Sequence, residues 1–348
     1  MTASERFLVT GALGCIGAWT VRALVREDTK VVAYDLGRDH RRLAQIMTPD
    51  ELAAVEFVVG DITDLASLER ALNEHGITNV VHLAALQVPF CRADPPRGAL
   101  VNVVGTVNVF EAVKRRGLTD RPLVYTSSIG AFSADDENPA SHRLEEAADA
   151  HPTTHYGVYK RANEGTARIY ALDDGIASIG LRPMTVYGVG RDQGMTSTPT
   201  SAIAAAVVGR PYRISFGGTT LFQYAEDVAS TLLRASRSDL TGAHVFNLGG
   251  SSVEIGEWIA AIERVVPEAR GTITMADVRL PFPSEIAHDG VGVLGPLPVT
   301  PFEAGIDATV AILRRLAEEG LLVPEQHGLP PSETSAPVGR PASGAPPT

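Results

Sequence analysis

The sequence predicts an α/β fold, a doubly wound parallel β-sheet with helices on both faces, followed by a smaller C-terminal lobe. Apolar strand-like segments alternate with helical segments over the first two-thirds of the chain. The segment 79–83 is almost wholly apolar, as expected for a central parallel strand that is buried on both faces. A glycine-rich turn joins the first predicted strand to the first predicted helix.

The first predicted unit is a strand at 6–10, a turn, and a helix at 15–26. The turn carries three glycines at a spacing of three: Gly11 permits the tight turn, Gly14 lets the backbone approach a pyrophosphate, and Gly17 lets helix and strand pack closely. The turn residues Cys15 and Ile16 are expected to contact the same ligand. The unit therefore predicts a dinucleotide site of the Rossmann type.

The second predicted strand, 30–34, is followed by Asp35, 18 residues after Gly17. A carboxylate at this place accepts hydrogen bonds from the adenosine ribose and repels a 2′-phosphate, so NAD is the expected cofactor rather than NADP. Arg38, Arg41 and Arg42 lie just downstream. We interpret them as basic residues on a solvated helix face.

The remaining elements continue the alternation. Further strands are predicted at 56–59, 122–126 and 176–181, and further helices at 64–75, 95–116 and 155–173. From 185 the pattern loosens, with helices predicted at 199–208, 226–236, 254–265 and 303–318 and a strand at 244–247. We therefore predict a Rossmann domain over 1–184 and a substrate-binding lobe over 185–323. The last 25 residues, 324–348, contain seven prolines and predict a disordered tail.

Composition excludes several classes of function. The net charge of −11 argues against a nucleic-acid partner, which requires a basic surface. No apolar run is long enough to span a membrane, and the N-terminus has no signal-peptide pattern. Cys15 and Cys91 form neither a metal-binding spacing nor a disulfide framework. We expect a cytoplasmic protein that acts on a small molecule, without a metal.

The candidate chemistry is carried by three side chains. Tyr156 and Lys160 are four residues apart and so share one face of the helix predicted at 155–173. An ammonium near a phenol favours the phenolate, which makes tyrosine a usable acid/base at neutral pH. Ser128 follows the strand 122–126, and the carboxyl ends of such strands hold the active sites of doubly wound sheets. Together with the cofactor turn, this set predicts catalysis rather than surface decoration.

These motifs resemble the extended short-chain dehydrogenases/reductases of the NAD-dependent epimerase/dehydratase group. The resemblance covers about residues 6–320 and rests on Gly11, Gly14, Gly17 and Asp35, on the segments 60–64, 82–85, 102–108 and 126–128, on Tyr156 and Lys160, and on Arg182-Pro183. It implies carbohydrate metabolism and a catalytic triad of Ser128, Tyr156 and Lys160. It also implies further cofactor contacts at Asp61, Ile62, Leu83, Ala84, Ala85 and Asn102. For Asn102, a capping role remains the alternative.

The sequence departs from this group at two positions. Members that act on nucleotide sugars usually have an asparagine where this chain has Thr185, and an arginine where it has Thr220. Threonine cannot replace the charge-assisted contact that arginine makes with a diphosphate. The departures therefore favour a substrate without a nucleoside diphosphate.

Substrate contacts are expected from Gln87, Ser128, Thr185 and Arg191. Arg191 lies in the predicted loop 189–199 and could bind a carboxylate; an exposed surface arginine is the alternative. We predict hydride transfer between NAD and a secondary alcohol of a small sugar, sugar acid or hydroxy acid, by a homodimer. Two alternatives stay open: a nucleotide-sugar 4-epimerase or dehydratase with tightly bound NAD, and a non-catalytic NAD-binding regulatory protein.

Overall fold

A computed structural model describes residues 5–137, 143–145 and 148–331. Its strands are β1 Arg6–Thr10, β2 Lys30–Asp35, β3 Glu56–Val59, β4 Asn79–His82, β5 Leu123–Thr126, β6 Ser178–Arg182, β7 Thr185–Tyr187, β8 Tyr212–Ile214, β9 Thr219–Tyr224, β10 Ala243–Asn247, β11 Ser251–Glu254 and β12 Ile273–Met275. Its α-helices are α1 Cys15–Arg26, α2 Arg41–Ile46, α3 Pro49–Ala53, α4 Leu65–Glu74, α5 Val88–Ala93, α6 Pro95–Ala99, α7 Gly105–Arg116, α8 His155–Asp174, α9 Thr198–Val207, α10 Ala225–Ser236, α11 Ile255–Val265 and α12 Phe302–Glu318.

Seven parallel strands form the main sheet in the order β10-β6-β5-β4-β1-β2-β3, which confirms the predicted fold class. The order reverses at β1, so consecutive crossovers on its two sides lie on opposite faces of the sheet. At this point the carboxyl ends of β1 and β4 open a crevice. That crevice is where a ligand of such a sheet binds.

Alternation along the strands divides the core between the two faces of the sheet. In β1, Phe7 and Val9 point into one hydrophobic cluster with Trp19 of α1, whereas Leu8 points into the other with Phe110 of α7. Such two-sided burial requires apolar residues at successive positions. It explains why the strands of this sheet read as continuous apolar runs.

The predicted boundary at 184/185 does not separate two independent units. β10 pairs in parallel with β6 at the edge of the main sheet, and α10 packs on α1. The segment 225–247, which we placed in the substrate lobe, therefore returns to the Rossmann domain. The lobe itself is built from β7, β9 and β11 in one small sheet and β8 and β12 in another.

Two further predictions need correction. The helix predicted over 95–116 is interrupted by a π-helical turn at Leu100–Val104. The tail predicted from 324 begins too early, because Pro324–His327 form a 3-10 helix in which His327 is buried, and Leu329 joins the main core. The prediction followed the high proline content of the segment and did not take into account that His327 and Leu329 are buried and hold it against the core. Residues 332–348, the rest of the predicted tail, lie outside the described residues.

No helix in the described ranges combines the length and apolarity needed to cross a membrane.

Candidate functional site

A cavity of about 570 Å³ lies at the carboxyl ends of β1, β4 and β5. The glycine turn 11–17 and the segment 83–87 form one wall. The segment 126–130, the start of α8 and the loop 190–196 of the small lobe form the other. A volume of this order is typical of small-molecule and cofactor sites.

The glycine turn fits closely against the neighbouring strand. Gly11 has φ of +69°, and a Cβ placed on it would lie 2.6 Å from the backbone nitrogen of Ala84. A Cβ on Gly17 would overlap the carbonyl oxygen of Gly11. Gly14 caps α1 without a side chain, and the N–H groups of Cys15, Ile16 and Gly17 fall in a first helical turn, where no intrahelical acceptor exists. The turn is thus a cradle of backbone donors that suits a pyrophosphate.

Asp35 lies at the far end of this cradle. Its Oδ2 accepts a hydrogen bond from Leu13 N at 3.0 Å, and its Oδ1 accepts one from Gly37 N at 3.1 Å. The fixed carboxylate faces the cavity with Asp61 and Ile62 nearby, and Leu83, Ala84 and Ala85 line the same cavity. This arrangement fits a dinucleotide with a free adenosine ribose.

Arg42 does not lie on a solvated helix face, contrary to our interpretation. Its guanidinium donates to Leu13 O at 2.9 Å and forms two bonds with the carboxylate of Asp192, at 3.1 Å and 2.7 Å. Arg41 also reaches Asp192, at 3.3 Å. Arg38 is exposed, as expected.

Ser128, Tyr156 and Lys160 converge on the cavity beside β5. Thr154 caps α8 by accepting from Gly157 N at 3.0 Å, and the bare Cα of Gly157 packs on Gly130 O. The hydroxyl of Ser128 accepts from Gly130 N at 3.0 Å and lies near Tyr156, whose pKa it lowers. The Nζ of Lys160 donates to Thr126 O at 2.7 Å and lies 5.5 Å from the centroid of the Tyr156 ring.

The pKa of Tyr156 is raised, whereas the sequence led us to expect that the Lys160 ammonium would lower it. Burial raises the pKa of Tyr156, while the hydrogen bond from Ser128 and the charge of Arg191 lower it. Burial also lowers the pKa of Lys160 to about 8. The charge of Arg191 thus acts on the phenol as well, while Lys160 is anchored to the backbone beside the Tyr156 ring.

Arg191 is half-buried in the cavity wall and is not an exposed surface arginine. One terminal nitrogen donates to Thr196 Oγ1 at 3.0 Å, whereas its Nε has no hydrogen-bond partner among the described residues. The amide oxygen of Gln87 is likewise buried and unpartnered within the described part of the chain. A Cβ on Gly194 would collide with that oxygen and lie 3.4 Å from the Arg191 guanidinium. Gln87 and Arg191 therefore both pack against Gly194 at the edge of the cavity.

Two predicted site residues face away from the cavity. The side chain of Asn102 donates to Leu86 O at 2.8 Å and accepts from Leu86 N at 2.7 Å, so it clamps the backbone that precedes Gln87. Thr185 is buried, and its hydroxyl bonds that of Thr220 at 2.8 Å. Its neighbours Met184 and Val186 line the cavity instead, because successive side chains of a strand point to opposite faces.

A buried hydrogen-bond network around Glu164, which was not expected from the sequence, lies beneath the site. Glu164 receives two hydrogen bonds from Arg182, at 2.7 Å and 2.8 Å, and one from the Ser127 hydroxyl at 2.5 Å. It fixes α8 to the ends of β5 and β6. The sequence feature that could have predicted this network is the spacing of four residues between Lys160 and Glu164, which places both on the sheet-facing side of α8.

Comparison with known proteins agrees with this geometry. Residues 7–249 match the NAD dependent epimerase/dehydratase family. UDP-glucose 4-epimerase from Mycolicibacterium smegmatis is 32% identical over 249 residues, covering 70% of this chain and 77% of that protein.

Among solved structures, the Thermus thermophilus UDP-glucose 4-epimerase complex with NAD has a TM-score of 0.74 and 26% identity, covering 89% of this chain and 99% of that one. A partial consensus L-threonine 3-dehydrogenase has a TM-score of 0.78, covering 89% and 100%. Its identity is 24%, so this likeness concerns the fold.

Proposed function

Since this chain belongs to the NAD-dependent epimerase/dehydratase family and takes NAD as its cofactor, we propose that it is an oxidoreductase acting on a small hydroxy substrate with a carboxylate. The class includes sugar acids and hydroxy acids. The observation that carries the proposal is the unpartnered Nε of Arg191, buried in the cavity wall beside Tyr156. A guanidinium in the wall of a cavity suits a carboxylate, which accepts two parallel hydrogen bonds.

Each residue of the proposed site has a defined task. Ser128 orients the substrate oxygen, and Tyr156 removes or returns the proton of the hydroxyl. Lys160 is held on Thr126 O with donors left for the ribose of the cofactor. Bound NAD supplies the hydride acceptor or donor at nicotinamide C4. The glycine turn and Asp35 bind its pyrophosphate and its adenosine ribose.

A nucleotide-sugar 4-epimerase is the second candidate, because the M. smegmatis relative carries that name at 32% identity. The pair Thr185–Thr220 weighs against it. Both side chains are buried and bonded to each other, so neither is available to a diphosphate. A regulatory protein without catalysis has no comparable observation in its favour.

The proposal is tested by incubating purified protein with NAD and a panel of candidate substrates while NADH absorbance is followed. The panel holds sugar acids, hydroxy acids, free sugars and UDP-sugars. We expect NADH formation with at least one acid. Interconversion of a UDP-sugar at C4, without net NADH, would replace this proposal with the epimerase.

We also propose that the enzyme is a homodimer. Val158, Ile169 and Leu172 are exposed on α8, and Leu100 and Val104 are exposed on the adjacent helical segment. Together they form an apolar face on two packed helices. Faces of this kind mark interaction sites in soluble proteins, and an identical face on a second copy would cover it.

Ile169→Glu should convert the dimer into a monomer, because the charge would be buried without a partner in the middle of that face. We expect the dimer dissociation constant to rise by about two orders of magnitude or more. Light scattering coupled to size exclusion measures the change. Val278→Glu, at a separate exposed apolar position, is the matched control and should leave the dimer intact. A monomeric parent protein would contradict the proposal.

A further inference from the structure

Asp192 is a carboxylate of the cavity wall whose two oxygens both accept hydrogen bonds from arginines. It lies in the loop that follows Arg191, and its side chain is only 6% exposed. Its two oxygens accept from Nε and NH2 of Arg42, 150 residues earlier in the chain, and Arg41 adds a longer contact. Asp192 of the small lobe is thus hydrogen-bonded to the guanidinium of Arg42 in the nucleotide-binding domain.

Arg42 stands next to the place where the adenosine ribose is expected. The Nη1 atom of Arg42 donates to the carbonyl oxygen of Leu13, and the backbone N–H of Leu13 donates to the carboxylate of Asp35. Arg42 and Asp35 therefore share one anchoring residue, and both line the cavity with Leu36 and Gly37. The stem of Arg42 packs on Gly190, where a Cβ would lie 3.4 Å from its Cδ.

This placement bears on cofactor choice. An arginine near the second strand is the usual partner of the 2′-phosphate of NADP, since guanidinium binds phosphate through paired hydrogen bonds. In this protein all three nitrogens of the Arg42 guanidinium already have acceptors: two on Asp192 and one on Leu13. The cation is present, but its Nε–Nη2 edge, which could bind a phosphate through two hydrogen bonds, is occupied by Asp192.

We propose that Asp192 is a positioning residue that sets the preference for NAD over NADP by holding Arg42 away from the 2′-phosphate. It acts together with Asp35, which repels the same phosphate. The idea rests on NAD binding alone and does not depend on the substrate proposed above.

The test is a calorimetric titration with 5′-ADP and 2′,5′-ADP, fragments that reach the adenosine end of the site and differ in the phosphate at issue. For Asp192→Asn we expect 2′,5′-ADP to bind about ten- to a hundredfold more tightly, which is the range for a hydrogen bond to a charged group. Binding of 5′-ADP should stay within about threefold. NADP and NAD should follow the same pattern.

The double variant Asp192→Asn/Arg42→Gln should lose most of the gain, because Arg42 is gone and only Arg41, which contacts Asp192 at 3.3 Å, is released. Asp307→Asn, which breaks the exposed pair with Arg264, controls for the change in net charge. Unchanged 2′,5′-ADP binding in folded Asp192→Asn would overturn the proposal. So would an equal gain in the double variant or in Asp307→Asn.

Arg42→Gln alone supplies a second test if Asp192→Asn does not fold. Because Arg42 is unavailable in the parent protein, this change should leave the affinity for 2′,5′-ADP within about threefold. A tenfold loss would mean that Arg42 already binds the 2′-phosphate, and the proposed role of Asp192 would be wrong.

Discussion

Replacing Tyr156 with phenylalanine should lower turnover by about two to four orders of magnitude while the affinity for NAD stays nearly unchanged. Tyr156 lines the cavity beside Ser128, and no proton can be exchanged through a ring that lacks the hydroxyl. The ring itself remains, so the packing of α8 on the segment 128–130 should persist. Steady-state NADH formation and an NAD titration measure the two effects separately.

Tyr159 offers a matched control on the same helix. Its hydroxyl donates to Pro95 O at 2.9 Å, and its side chain is not part of the cavity lining. Tyr159→Phe therefore removes a phenolic hydroxyl outside the cavity lining, and turnover should stay within a few-fold of the parent. If Tyr156→Phe retained turnover within about threefold, another group would have to move the proton.

The features that sequence reasoning predicted correctly depend on local pattern. The glycine turn, Asp35 and the strands of the main sheet are specified by residues within one βαβ unit, where spacing alone fixes which atoms meet. Tyr156 and Lys160 share a helical face for the same reason. The convergence of Ser128 with Tyr156 followed from the rule that the carboxyl ends of parallel strands meet at one edge.

The errors concern side-chain direction and distant partners. Thr185 was assigned to the substrate by its place in a motif, but a strand only three residues long decides its direction, and Met184 and Val186 took the cavity side. Asn102 lies in a π-helical turn, which rotates it towards Leu86, and helical spacing does not reveal such a turn. Arg42 was placed in solvent because its partner Asp192 is 150 residues away.

Arg191 is the predicted site residue whose proposed role depends most on its surroundings in the structure. In the sequence it was an arginine in a loop. In the structure it is half-buried in the cavity wall near Tyr156, and its Nε has no hydrogen-bond partner among the described residues. It therefore serves two proposed purposes. Its charge lowers the pKa of Tyr156, and we propose that its guanidinium, which lines the cavity, binds a carboxylate.

The two purposes predict separable effects of Arg191→Ala. The KM for an acidic substrate should rise by about two to three orders of magnitude, as expected when a buried charge pair is broken. The KM for the corresponding amide should change little. Because the Arg191 charge lowers the pKa of the phenol, its loss should raise that pKa and move the acidic limb of the pH–rate profile to higher pH.

Two controls separate these effects from a collapse of the loop. Thr196→Val removes the hydrogen bond that Arg191 makes within the loop but keeps the charge, so the pH–rate profile should stay in place. Arg213→Ala removes an exposed arginine of the same lobe and should leave both measurements unchanged. If Arg191→Ala raised the KM of the acid and the amide equally, the guanidinium would be shaping the cavity rather than binding a carboxylate. The substrate would then have to be sought among neutral hydroxy compounds, because its acid group was inferred from this one cation.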